Sequence, residues 1–400
     1  MKLSNNFPRI AIVGGGIGGL AAAAFLHRVG LTATVYEQAK HLGEVGAGLV
    51  VSPNSARMLR RLGVFDIFLD SAVPLDIGWE FRRWEDGRVL SAENMADRCA
   101  KLYGERSYVT HRADLLQTLR NAIPDHMIRL SSRLIDVEER GDALRLRFQD
   151  GSFEKADIVV GADGIHSTIR GLIATPTPAE YSGLCAFRAL VPAQEAPMFT
   201  RRPVQTLWIG PGRHLVHYPV SAGSMINIIA VAPAAGMFDE DWNATSTVDE
   251  FLAEFDGWDP RLIDLISSVR NPGRWALLDR APLDRWTTKR MTLLGDAAHP
   301  MFPFLAQGSA QAIEDAAALA HCLVGNLSDP EQALFHYENI RRPRTTRIQE
   351  LSRSRKDTNH LPDGHDQQLR DLRLETADPL LQNAWLYGYD AELDENLVVR

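Results

Sequence analysis

The stretch from Arg9 to Glu37 constrains the fold more than any other part of the chain. Arg9 to Val13 is an apolar, strand-like run, Gly14 to Gly19 reads GGGIGG, Leu20 to Val29 is helix-like, and Thr32 to Glu37 is a second strand-like run with an acidic end. That order predicts a complete βαβ unit. Gly14 permits the tight turn, Gly16 lets the backbone approach a pyrophosphate, and Gly19, with Gly18 beside it, lets helix and strand pack closely. The helix N-terminus would face the phosphates, where its unpaired N–H groups favour negative charge. Glu37 could then accept from a ribose hydroxyl. Glycines also serve plain turns, but the strand before, the helix after and the acid about 20 residues on make a dinucleotide site the expectation. This stretch does not distinguish FAD from NAD. Ile10 to Leu26 is also the only run that could pass for a signal or membrane helix, and its five glycines and missing basic flank argue against that.

Four hundred residues exceed one ordinary hydrophobic core, so two domains, or one large domain with an insertion, are expected. A formal charge of -8 argues against nucleic acid as a partner, because phosphate binding needs a basic surface. The three cysteines Cys99, Cys185 and Cys322 are widely spaced and form no CxxC pair, which indicates neither a disulfide framework nor a metal site. A cytoplasmic enzyme with no membrane partner fits these bounds.

Further along, Gly46 to Gly63 reads as a Gly-rich turn and an amphipathic helix beginning near Pro53. Tyr108 to Ile123 reads as a helix with His111, Arg112 and Asp114 at its start. Arg133 to Gly164 reads as three strands in a meander, the last continuously apolar. From Tyr181 to Trp275 alternating strands predict a second, antiparallel sheet. After Gly308 the chain is helical to about Arg355, and the seven basic residues between Arg341 and Lys356 read as a solvated face. The stretch LLGDAAHPMFPFLAQGSAQAIEDA, Leu293 to Ala316, ends a strand on Asp296, stiffens the next turn with Pro300 and Pro303, and aims a helix N-terminus at that turn. Something small and partly anionic is expected there.

Three stretches together resemble the single-component FAD-dependent aromatic hydroxylases related to p-hydroxybenzoate hydroxylase. They are Gly14 to Gly19 with Glu37, GADGIHSTIR at Gly161 to Arg170, and the Leu293 to Ala316 stretch. Within that family GRHLVHYP (Gly212 to Pro219), HPMFPFLAQG and WLYGYD (Trp385 to Asp390) are most similar to salicylate hydroxylases and 6-hydroxynicotinate 3-monooxygenases. The resemblance implies an α/β protein: a Rossmann-like FAD-binding domain, an inserted antiparallel β-sheet substrate domain, and C-terminal helices. The expected bounds are 1–75, 104–176 and 277–370 for the FAD-binding domain and 76–103 and 177–276 for the substrate domain. Residues 371–400 would be a C-terminal extension.

By the same resemblance Asp296 binds the ribityl chain of FAD, and Gly308 and Ser309 lie at the pyrimidine edge of its ring. Asp163 matches the second cofactor signature, Arg112 and Leu134 stand where the family contacts the flavin nucleotide, and Gln38 follows Glu37 at the adenosine ribose. No second GxGxxG occurs after Gly19. NADH or NADPH is therefore expected as a transient co-substrate, with O2 and a small aromatic acid; a homodimer is possible. The family's electrophile is a flavin C4a-hydroperoxide, which attacks an electron-rich ring, so a base near the phenol is expected. His214 and Tyr218, four apart on a strand, project from one face and match the catalytic pair of the 6-hydroxynicotinate branch; His217 should point away. Arg188 is a candidate for the substrate carboxylate, and Pro303 lies at the substrate. Val50 stands where the 6-hydroxynicotinate enzymes carry histidine, which tilts the expectation toward a benzenoid phenol such as salicylate, with a hydroxypyridine carboxylate or another flavin oxidation as alternatives.

Overall fold

The computed structural model describes residues 7–43, 47–175, 178–234 and 244–394. Gly46, the expected boundary at 176/177 and residues 395–400 of the expected extension lie outside the described residues.

The N-terminal unit forms as the sequence predicts, with strand Ile10–Val13, helix Ile17–Arg28 and strand Ala33–Tyr36. These open a five-stranded sheet in the order Met291–Leu293, Ile158–Gly161, Ile10–Val13, Ala33–Tyr36, Ile128–Arg129, parallel at every pairing. A parallel sheet is covered on both faces, and Ile10–Val13 and Ile158–Gly161 are accordingly buried at every position. Helix Ile17–Arg28 packs on helix Gly308–Gly325 through small residues, among them the buried Ala21 to Ala24 and Ala316 to Ala318. A Cβ at Gly18 would stand 2.6 Å from Leu294 and 3.4 Å from Ala312, so the close approach depends on that glycine.

The second sheet has seven strands, in the order Gly273–Asp279, Glu180–Pro192, Met225–Pro233, Arg213–Val220, Val204–Gly210, Ile77–Arg83, Val89–Asn94. It is antiparallel except where Val204–Gly210 pairs in parallel with Ile77–Arg83. That seam joins segments far apart in sequence, so no hairpin dictates its direction. The edge strand Gly273–Asp279 runs past the expected boundary at 276/277.

Strand periodicity sorts the two faces of this sheet. His214 is in register with Ile209 and Val231, Val216 with Leu207 and Ile229, Ile229 with Arg188, and Tyr218 with Asn227. This face is turned toward the parallel-sheet unit, for Asn227 accepts the Gly48 N–H at 2.7 Å and the His214 ring stands 5.2 Å from that of Phe304. The other face carries Phe187, Trp208, Leu215 and Ile228 beneath helices Val248–Glu254 and Pro260–Ser267. His217 points to that far side, edge-on to Phe199.

Three local expectations are corrected. Tyr108–His111 is a strand and the helix begins at Arg112, with the His111 ring accepting the Ala113 N–H at 3.3 Å as its cap. The meander Leu134–Arg140, Ala143–Phe148, Phe153–Ala156 ends at Asp157, which takes the Arg9 guanidinium, and Ile158–Gly161 joins the other sheet. The basic run is not a solvated face: Arg341 and Arg344 are bonded to the fully buried Glu314. Trp385 lies under Arg347 and Tyr389 under Arg344. Net acidity describes the surface on average and says nothing of a helix, Pro330–Asn359, that the C-terminal segment covers.

Candidate active site

The glycine loop is shaped for close approach. Gly14 has φ +107°, and a Cβ there would stand 2.3 Å from the Ala162 carbonyl; at Gly19 it would stand 1.9 Å from the Gly14 carbonyl. Both positions require glycine. Around Gly16, by contrast, nothing lies within 4 Å of where a Cβ would be, so the space over the loop is open to a ligand. Glu37 accepts the Gly15 N–H at 2.6 Å and the Ala39 N–H at 2.7 Å, which fixes its carboxylate beside that space. Helix Ile17–Arg28 has neither a side-chain cap nor an acid in its first turn. Its first N–H groups and partial positive charge are therefore unmatched, as an anionic dinucleotide requires. Gln38 follows on an exposed turn. The Leu134 side chain is buried in the core, so only its main chain could reach a nucleotide.

A second uncapped helix start lies beside the first. Asp296 is exposed, and its Oδ1 is 3.9 Å from where a Gly308 Cβ would be. Helix Gly308–Gly325 has no side-chain cap and no acid in its first turn, with Gly308 and Ser309 half-buried. Arg112 stands near Asp296: burial lowers the guanidinium pKa and the Asp296 charge opposes that shift. The turn carrying Asp296 is anchored from below by Asp315, which accepts from Gly295 N–H at 3.0 Å, pairs with His299 at 2.6 Å and binds Arg341 at 2.7 Å. Burial alone would raise the Asp315 pKa, but His299 and Arg341 hold it down at about 2. His299 thus serves the scaffold.

Asp163 is a helix-capping residue, accepting from the Ser167 hydroxyl and, at 2.7 Å, from the Thr168 N–H; burial pushes its pKa up. Arg170, which the sequence reading did not single out, donates to the Ile165 carbonyl and, at 3.2 Å, to that of Ala297. It ties the GADG turn to the Asp296 turn.

The seven-stranded sheet roofs this region. His214 and Tyr218 are both buried on its inner face, but four residues of strand separate them by about 13 Å, so they are not a bonded pair. His214 Nδ1 instead meets Nε2 of His360 at 2.6 Å. His360 caps helix Pro330–Asn359 at its C-terminus, more than 140 residues away in sequence, and its isolated histidine gave no signal to find. Burial, then the neighbouring imidazole, lowers the His214 pKa well below the ordinary value; burial, with Lys356 and Arg213 nearby, brings His360 to about 4. Both rings are neutral at pH 7. Burial raises the Tyr218 pKa, so it is a neutral phenol. Val50 lies in the apolar cluster around Tyr218. Asn227 is fully buried, and its Nδ2 has no partner among the described residues. Arg188 lies 5.1 Å over the Trp275 ring without an ion pair among the described residues, its pKa lowered by burial and then by Arg112. Pro303 is exposed at the start of the single turn Pro303–Leu305.

Residues 9–352 match the sequence model of the family described as FAD binding domain. The chain belongs to that family. Among its relatives is 3-amino-4-hydroxybenzoate 2-monooxygenase of Streptomyces platensis, 43% identical over 389 residues, covering 97% of this chain and 98% of that protein. Another is 6-hydroxynicotinate 3-monooxygenase of Pseudomonas fluorescens, 36% identical over 388 residues, with 96% and 95% covered. Of solved structures, Klebsiella pneumoniae HpxO complexed with FAD and uric acid superposes with a TM-score of 0.84 at 27% identity, covering 95% of this chain and 96% of that one. This FAD-binding-domain protein is a flavin-dependent aromatic monooxygenase, its parallel-sheet unit the cofactor domain and its large sheet the second domain. No helix among the described residues is long and apolar enough to cross a membrane.

Proposed function

We propose that the enzyme hydroxylates a phenolic aromatic acid of the aminohydroxybenzoate or hydroxybenzoate class, using NAD(P)H and O2. The observation that carries this reading is the end-to-end 43% identity with a 3-amino-4-hydroxybenzoate 2-monooxygenase, joined to a neutral, buried histidine on the roof of the cofactor domain. When bound and reduced, FAD supplies the activation of dioxygen. Gly14 to Gly19, Glu37 and Gln38 would hold its adenosine and pyrophosphate, and Asp296, Arg112, Asp163, Gly308 and Ser309 its flavin half. The two uncapped helix starts offer N–H groups to the phosphates and to the negative charge of the reduced ring.

His214 acts on the substrate hydroxyl. Its Nδ1 is engaged with His360, which leaves Nε2 to accept the phenol proton while Nδ1–H passes a proton to His360 and onward to solvent. Low pKa values suit a relay that passes a proton and does not store it. The ring, relieved of its proton, is the better nucleophile. Tyr218, still protonated, donates a hydrogen bond at the far end of the same face, and Pro303 bounds the site below. Arg188, on the same inner face as His214, is the alternative for the substrate carboxylate.

The test is a substrate panel of 3-amino-4-hydroxybenzoate, salicylate, 3- and 4-hydroxybenzoate and 6-hydroxynicotinate, scored by NAD(P)H oxidation and product mass. An aminohydroxybenzoate or hydroxybenzoate should give coupled product. Turnover of 6-hydroxynicotinate alone would move the enzyme to the pyridine branch, and no turnover of any acid would remove the reading.

A further inference from the structure

The basic run on helix Pro330–Asn359 contains one half-buried cation unlike the rest. Arg341 and Arg344 bind Glu314, Arg342 pairs with Glu338 at 3.3 Å, Arg353 with Asp279 at 2.6 Å, Arg347 lies 4.0 Å over Trp385, and Lys356 donates to the Ser182 carbonyl at 3.1 Å. Arg355 has neither a hydrogen bond nor an ion pair among the described residues; its guanidinium stands 5.9 Å over the Phe81 ring, and burial lowers its pKa. Glu93, the acid whose charge reaches it, is fully buried and already engaged by Asn383 and Tyr387. A half-buried cation without a direct partner is costly unless something else neutralises it.

Arg355 lines a small cavity of about 20 Å³ between Trp79, Phe81, Leu207 and Phe304 on one side and the polar side chains of Asn359, Asn383 and Tyr387 on the other. That is room for about one water and not for a ring, so only the end of a substrate could reach into it. Two of the walls belong to the site already described. Leu207 is in register with Val216, between His214 and Tyr218, and Phe304 touches His214. We propose that Arg355 anchors the carboxylate of the aromatic acid, holding the ring so that its hydroxyl reaches His214. The guanidinium fork matches two carboxylate oxygens, and Trp79, Phe81 and Phe304 give the cavity one apolar wall. Arg188 lies on the opposite side of the strand that bears His214, two strands away, so the two arginines demand different substrate orientations.

This proposal rests on the phenolic-acid reading. The test compares 3-amino-4-hydroxybenzoate with its carboxamide in the holoenzyme, for wild type, Arg355→Met, Arg355→Gln and Arg188→Met. Loss of the anchor should raise KM for the acid by about 10- to 100-fold, the usual worth of a charge-assisted hydrogen-bonded contact, with a smaller change in kcat. Turnover of the amide should stay within about twofold, so that the acid-over-amide preference collapses in both Arg355 variants and survives in Arg188→Met. Should Arg355→Met fail to retain FAD, Arg355→Gln decides. Preference intact in the folded Arg355 variants, or lost in Arg188→Met, overturns the anchor. A wild type that turns over none of the acids removes the phenolic-acid reading itself, a result distinguishable from either.

Discussion

The nucleotide end and the ring end of this site are built by opposite means. The nucleotide end is backbone: Gly14 to Gly19 turns within one short segment, and Glu37 closes onto Gly15 from 22 residues away. The ring end is side chain: His214, His360, Phe304 and Arg355 come from a roof strand, a helix terminus, a tight turn and a helix body, and meet only in the folded protein. Backbone sites tolerate no change of volume where the chain passes itself, whereas side-chain sites tolerate substitution structurally and lose chemistry. The two ends should therefore fail differently.

The largest effect is expected at Gly19. A side chain there meets the Gly14 carbonyl at 1.9 Å, so Gly19→Val should abolish FAD retention and lower the unfolding midpoint sharply, as flavin absorbance and urea unfolding would report. A variant with full flavin occupancy would show the loop to be looser than its geometry implies. At the ring end, His360→Phe should keep FAD and fold while slowing hydroxylation by about 10- to 100-fold, a smaller loss than removing the base itself because His214 stays in place. Rapid-mixing kinetics would separate this from flavin reduction, which should be little affected. Between the two ends, Asp296→Ala should weaken FAD binding by about tenfold, the worth of a single hydrogen-bonded contact, with the far-ultraviolet spectrum unchanged. Equilibrium dialysis measures it.

This division also explains what could be read in advance. The glycine loop, the βαβ unit and the Asp296 turn are local patterns in which spacing carries the geometry, so their structure follows the sequence. Assignment of His214 and Tyr218 to one face needed only the period of a strand. The contact between His214 and His360 could not be read, because one residue is a lone histidine beyond a helix end. Arg355 was hidden inside a charge run, where composition suggests solvent; only the packing of Trp385, Tyr389 and the roof sheet distinguishes a buried arginine from an exposed one.

The effect that touches hydroxylation least is in stability against pH. His214, His217 and His360 have folded pKa values below the unfolded value of about 6.5, with His217 at about 3 and His360 at about 4, each chiefly through burial. Above that unfolded value all three are neutral in both states and contribute no slope. As pH falls from about 6.5 toward 4 the unfolded chain binds protons that the folded one refuses, so stability should drop by several kcal/mol across that window. His217 lies on the outer face, so His217→Phe should flatten the slope of the urea midpoint without altering hydroxylation. A flat profile in wild type would mean that these rings are more hydrated than their burial implies.

The central claim is that the ring end performs proton chemistry on the substrate while the nucleotide end only holds the cofactor. Its most direct test is product formed per NAD(P)H consumed by FAD-saturated His214→Ala, followed from about pH 6 to 9, where wild-type His214 stays neutral. The account expects full flavin occupancy, hydroxylation slowed by about 10²- to 10⁴-fold, more hydrogen peroxide per NAD(P)H, and partial recovery at high pH where solvent deprotonates the phenol. Coupling and rate equal to wild type at every pH would contradict it and return His214 to a buried strand residue with a structural partner.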